Sequence, residues 1–184
     1  LTGSEVKDTI TLRGDGLKPN VYALAGESLT NSAAINDDEN PMERGLRLEP
    51  VAMERFRKES GKKVDSDLLI WVREDDERIA ISPDGVIGKT EAVEVKCLSI
   101  AKHTEALYTR KIPKNTAGYE EQAAHYFIVN DSLKKLHYVF FNPDFPAPLD
   151  YLHLIFSRKD MQEEIETIRQ AEAIAIARAR DIVI

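Results

Sequence analysis

Cysteine is almost missing from this chain, with Cys97 the sole example. An internal disulfide, a four-cysteine zinc site and a self-contained iron–sulfur cluster are thereby excluded, and any metal is expected to be held by oxygens. Long apolar runs are missing too. No stretch approaches the ~20 apolar residues that a membrane-spanning helix needs, and Glu5, Asp8, Arg13 and Asp15 stand where a secretory core would be apolar. A cytosolic protein without a membrane association is expected. Glycine (9) and proline (8) are sparse, while hydrophobic residues make up 42% and charged residues 31%, which excludes collagen, wholesale disorder and low complexity. Positive charge is the last shortage: 25 Lys and Arg against 32 Asp and Glu leave a net charge of −7. That argues against a protein that coats nucleic acid through bulk charge. What is present is enough for one domain, since a chain of 184 residues buries roughly two-thirds of its unfolded surface. A single domain over residues 1–184 is expected, with a poorly defined segment at 1–40 and a core at 41–184. The chain opens on Leu1 rather than Met.

Residues 1–40 hold scattered turn formers and show no sustained period, and they read as mostly irregular. Asn40-Pro41-Met42-Glu43 then reads as a helix start, with Asn40 as cap and Pro41 at the first helical position. The helix is expected over about 41–59, with a kink near Pro50 and a stop at Gly61. Val64–Val72 and Ile79–Ser82 read as strands around a turn at Arg73–Arg78, Pro83-Asp84-Gly85 as a break, and Glu91–Leu98 as a third strand with clean alternation. Helices are expected over Ile100–Tyr108 and Thr116–Asn130, capped by Asn115 or Thr116, strands over Leu136–Asn142 and Tyr151–Ser157, and an amphipathic helix on the sheet over Arg158 to about Arg180. Basic clusters lie at Arg55, Arg57, Lys58 with Lys62 and Lys63, from Lys102 through Arg110, Lys111 and Lys114, and at Lys134 and Lys135. Taken singly, such clusters are usually solvated faces.

Chemistry enters where carboxylates fall on apolar elements. Met42, Leu46, Glu49, Met53 and Phe56 share one stripe of the first helix. Burying an unpaired carboxylate costs several kcal/mol, so Glu49 must be wet, protonated or met by a cation; the bland alternative is a stripe ending at Pro50. On the third strand, Val93, Val95 and Cys97 share one face, and Glu94, Lys96 and Leu98 the other. Glu94 and Lys96 are therefore neighbours roughly 7 Å apart, which by itself is compatible with a surface ion pair. Asp84 projects from a turn ahead of Glu94, and pairing of the two strands would bring both carboxylates to one end of the sheet. Converging carboxylates repel unless a divalent cation sits between them, and oxygen ligation with one or two carboxylates suits Mg²⁺. Such an ion is what phosphodiester hydrolysis needs, and Lys96 beside it could orient or deprotonate water. Gln122 and Tyr126 share one helix face, with Tyr119 a turn earlier. A buried Gln122 amide would need partners on both ends.

Jointly these residues have the order and spacing of the PD-(D/E)XK nuclease core, written as Glu49, Pro83-Asp84, Glu94-Val95-Lys96 and Gln122 to Tyr126. More narrowly, the chain resembles the lambda-type phage recombination exonucleases, the YqaJ-like group, through Gly45–Ala52, Ser82–Gly85, Glu94–Lys96 and Ile112-Pro113 leading to Tyr119 and Gln122. The Gln-x-x-x-Tyr spacing is also similar to that of RecB-type nucleases, many of which add an iron–sulfur cluster that Cys97 alone cannot build. The resemblance implies an α/β fold, a central mixed sheet flanked by helices. It implies Mg²⁺-dependent hydrolysis of linear double-stranded DNA from its ends, degrading the 5′-terminated strand and leaving a 3′ single strand. It implies that Asp84, Glu94 and the main-chain carbonyl of Val95 hold the principal ion, with Glu49 supporting a second ion or its waters and Mn²⁺ as a substitute metal. It gives Lys96 the role of catalytic lysine and Gln122 that of ordering water or phosphate, with Tyr126 completing the catalytic set. A ring of three subunits around DNA and a single-strand annealing protein as partner are also implied. The family's arginine-containing N-terminal motif has no good match in residues 1–40, where Arg13 and Lys18 are the nearest candidates.

Three rivals stand beside this reading. An endonuclease of the restriction or repair kind could use the same core, because a fold leaves its substrate to flanking elements. A DNA-binding module without turnover would not need Asp84, Glu94 and Lys96 together. A zinc enzyme using His103, His125, His137 and His153 is disfavoured by their wide spacing.

Overall fold

The computed structural model describes residues 19–30, 40–114, 116 and 118–182. A four-strand mixed sheet flanked by helices is its centre, with strands in the order β3 (Gly85–Ile87), β4 (Glu91–Cys97), β5 (Lys135–Phe141) and β6 (Tyr151–Ser157). The described residues fall into two compact units. The first is drawn from Leu1–Gly61, Val95–Asn115 and Val139–Leu154, and the second from Lys62–Glu94, Thr116–Tyr138 and Ile155–Ile184. Among the described residues no helix is long and apolar enough to cross a membrane.

In the first unit, α1 (Pro19–Thr30) lies against α3 (Ile100–Thr109). This helix corrects the expectation of an irregular segment through residue 40. Its mid-helix Gly26 reads as a breaker, yet glycine is what lets the helices meet: a Cβ at 26 would run into the side chains of Ile100 and Thr104. α2 (Pro41–Ser60) begins as its sequence dictates, with the Asn40 side chain accepting a hydrogen bond from the Met42 N–H at 3.0 Å. It ends at Gly61, whose φ of 65° lets its N–H reach the Arg57 carbonyl. The helix runs on through Pro50 as one continuous element from Pro41 to Ser60. The expected apolar stripe is corrected too. Met42 and Leu46 are 73% and 67% exposed, and the buried face is Leu48, Ala52, Met53 and Phe56. Proline at the helix centre does not decide the face; contact with the rest of the unit does, as in the edge-on packing of Phe56 against His153 at 5.1 Å.

In the second unit, a hairpin of β1 (Trp71–Arg73) and β2 (Asp76–Ile81) pairs Trp71 with Ile81 and Val72 with Ala80. Strand structure thus starts later than expected, because Leu68, Leu69 and Ile70 are exposed rather than paired; only the bridge Asp65 to Val86 precedes it. The charged residues Asp76–Arg78, expected as turn, belong to β2. β3, whose first residue Gly85 falls in the expected break, pairs antiparallel with β4 through Gly85–Val93, Val86–Ala92 and Ile87–Glu91. α4 (Tyr119–Val129) packs against α5 (Gln162–Ile182), and the tail helix finds its partner there. The open carbonyls at the end of α4 are met by Arg158, which donates to Phe127, Asn130 and Leu133 at 2.6, 2.7 and 3.0 Å.

Candidate active site

The site grows from the middle of β4, where Ala92, Val93, Glu94 and Val95 are all buried. Glu94 is only 3% exposed, so its charge must be met by donors. α4 supplies two. The Gln122 amide donates to Oε1 at 2.9 Å, and one turn later the Tyr126 hydroxyl donates to Oε2. The four-residue spacing turns both side chains onto the face that meets β4. Asp84 lies in the bend between β2 and β3. The β3–β4 register pairs Gly85 with Val93, and one more step along it sets Asp84 opposite Glu94.

Two buried tyrosines sense both carboxylates. Burial pushes the Tyr126 phenol far above its ordinary range, and Glu94 and then Asp84 push it further. Burial likewise raises Tyr138 on β5, again with contributions from Glu94 and Asp84. The Tyr126 hydroxyl is therefore held protonated, a permanent donor to Glu94. Its place is fixed from the other side by Trp71 of the hairpin, whose ring meets it edge-on at 6.3 Å. Next to it in the chain, His125 binds the Glu172 carboxylate through Nδ1 at 2.5 Å and the Ala80 carbonyl through Nε2 at 3.2 Å. One helix thus carries the site residues while tying α5 and β2 together.

Of the residues singled out in the sequence, the second unit brings together Asp84, Glu94, Gln122 and Tyr126. Glu49, Val95 and Lys96 belong to the first unit: Glu49 and Lys96 are half-buried and Val95 is buried. Within β4, alternation sends Glu94 and Lys96 to one face. Tyr138, Trp71 and the His125–Glu172 pair were not found from sequence. A tyrosine inside Leu-His-Tyr-Val-Phe-Phe reads as core, and no local signal separates it from its neighbours.

The histidines of the zinc alternative are occupied in packing. His103 is buried with Nε2 at 2.8 Å from the Leu149 carbonyl, and His137 meets Glu91 at 2.8 Å. Among the described residues no three His, Cys, Asp or Glu side chains are grouped to hold an ion. The donor chemistry at Asp84 and Glu94 still fits a hard dication. Two carboxylates raise the proton affinity of the same two phenols, and hard dications such as Mg²⁺ take one or two carboxylates and complete their shell with water and substrate phosphate rather than with an all-protein cage.

The pattern of the YqaJ-like viral recombinase domain matches residues 1–132. Among solved structures, the chain is similar to an alkaline exonuclease, LHK-Exo, from Laribacter hongkongensis, at 22% identity and a TM-score of 0.58, covering 100% of this chain and 94% of that one. The same enzyme in complex with dAMP matches at 22% identity and 0.58 over 98% and 93% of the two chains. A phage related exonuclease from Haemophilus somnus 129PT matches at 16% identity and 0.54 over 91% and 89%. These likenesses give the chain the PD-(D/E)XK-like fold. No curated protein matches the sequence.

Proposed function

Because the chain belongs to the YqaJ-like viral recombinase domain family, we propose that it is a DNA exonuclease: a Mg²⁺-dependent hydrolase that degrades linear duplex DNA from its ends, 5′ to 3′, leaving 3′ single strands for recombination. The observation that carries this reading is the buried Glu94 carboxylate, held by Gln122 and Tyr126, with Asp84 in the bend that leads into the neighbouring strand. Asp84, Glu94 and the Val95 carbonyl would hold the ion, and Glu49 a second ion or its waters. When bound, the ion supplies a Lewis acid for the phosphodiester and eases deprotonation of water. Lys96, on the face of β4 that carries Glu94, orients the attacking water and offsets negative charge on the phosphate. Gln122 spends one N–H on Glu94 and keeps its other N–H and its carbonyl oxygen to order water or phosphate. Tyr126 fixes the rotamer of Glu94 and is a positioning residue.

Linear and circular duplexes, labelled separately at 5′ and 3′ ends where ends exist, test the proposal with and without Mg²⁺. The expected result is loss of the 5′ label from linear DNA in Mg²⁺ alone, with circles intact. Cut circles would favour the endonuclease reading. The same reading carries a ring of three subunits, a single-strand annealing protein as partner and a cytosolic place of action; sedimentation of the purified chain tests the first.

A further inference from the structure

Most arginines of the first unit are neutralised: Arg44 by Asp144, Arg55 by Asp150 and Glu59, Arg57 by Glu54. The turn that follows α3 is different. Arg110, Lys111 and Lys114 are exposed, and among the described residues none of their side chains forms an ion pair. This is a concentration of uncompensated positive charge in a chain of net charge −7.

The turn is also rigidly built. Ile112 and Pro113 are buried between the cations. Glu105 of α3 is buried and accepts the Lys114 backbone N–H at 2.9 Å. Arg110 closes α3 with φ of 55°, its N–H on the Ala106 carbonyl. That left-handed conformation suits glycine, and a long L-side chain adopts it at a cost. Charge is thus placed where backbone preference alone would place glycine, which points to use of the side chain. Beside it, Tyr108 is 71% exposed, with its ring meeting Tyr22 at 6.2 Å, so much of the aromatic surface faces solvent.

We propose that Tyr108, Arg110, Lys111 and Lys114 form a binding site for single-stranded DNA, the cations gripping successive phosphates and the Tyr108 ring receiving a base. An exposed aromatic beside unpaired cations is the combination that a flexible, unstacked strand recognises; a duplex hides its base faces. The inference rests on the nuclease reading for the identity of the strand, as the product left by digestion, whereas its test reads binding without hydrolysis.

Fluorescence anisotropy of labelled dT20 with the full chain in EDTA measures it. The variant Arg110→Gly/Lys111→Ser/Lys114→Ser, in which glycine relieves the left-handed residue, is expected to bind at least about tenfold more weakly. Its log Kd against log salt slope should fall by about 2, each lost phosphate contact on a single strand contributing ~0.7. Tyr108→Leu should weaken binding about five- to a hundredfold with the slope unchanged, and Lys111→Arg/Lys114→Arg should retain both. Hydrolysis of bis(4-nitrophenyl) phosphate, too small to reach such a site, should stay at the parental rate. Unchanged affinity and slope in the triple variant, or no binding of dT20 by the parent, would overturn the proposal. So would an equal loss of duplex affinity in Tyr108→Leu. A parent that binds dT20 through the turn but digests no DNA would leave this site standing and sink the nuclease reading.

Discussion

Glu94 shows what a single residue demands of its surroundings. A carboxylate that is 3% exposed is tolerable only with donors on its oxygens, and removing one leaves a desolvated acceptor that costs about 1–3 kcal/mol. Tyr126→Phe deletes the hydroxyl with little change of shape. It is expected to lower exonuclease turnover about 10–100-fold, the range for partners that orient a metal-binding group, with a drop in Tm of a few degrees. Turnover within twofold of the parent would contradict the positioning role. Gln122 and Tyr126 were legible as one helix face, and Glu94 and Lys96 as one strand face, because helix and strand periods are strict; the joining of the two pairs came from the family resemblance. Tyr138 was not legible, because its relation to Asp84 and Glu94 depends on which strand pairs with β4, and no residue pattern states that. Met42 and Leu46 were misread for the converse reason. They satisfy the helical period of α2, yet among the described residues they stay exposed.

At the scale of elements, local chemistry wrote the ends of α2, and tertiary contact wrote the rest. Asn40, Pro41 and Gly61 each act within a few residues, so the sequence announces them. α1 exists through its contact with α3, which Gly26 makes possible, and β3 exists through its pairing with β4. Gly26→Ala is accordingly expected to lower stability by about 1–3 kcal/mol, the usual cost of overpacking, in a urea titration that leaves Asn40→Ala, a cap loss, about 1 kcal/mol below the parent. No change in Gly26→Ala would mean that α1 does not need this approach. The start of β4 adds a pH dependence. Burial, partly offset by Glu91, lowers the His137 pKa beneath its ordinary 6.5. Against burial, hydrogen bonds from Lys62 and His137 hold Glu91 down at about 2, below its ordinary 4.5. The unfolded chain therefore takes up protons first as pH falls, so this cluster's contribution is complete above about pH 6.5 and lost progressively below it. Thermal unfolding from pH 7 to pH 3 should show a falling Tm, and Glu91→Gln should flatten the portion below about pH 4.5 while lowering Tm at neutrality. A variant with the parental acid slope would remove Glu91 from the explanation.

For the whole molecule, composition excluded more than it specified. One cysteine and a net charge of −7 left oxygen ligands as the route to a metal and left any DNA contact to local patches. The PD-(D/E)XK-like fold was legible through the family resemblance carried by Glu49, Asp84, Glu94-Val95-Lys96 and Gln122 to Tyr126. The division into two compact units, with the boundary falling inside β4 between Glu94 and Val95, was not legible, since nothing in the composition changes there. The central claim is that Asp84 and Glu94 together hold a divalent cation, and titration of the protein with Mn²⁺ followed by electron paramagnetic resonance tests it most directly. Saturable binding by the parent, competed by Mg²⁺ and lost in both Asp84→Asn and Glu94→Gln with folding retained by circular dichroism, is the predicted result; binding that survives in either variant would contradict it.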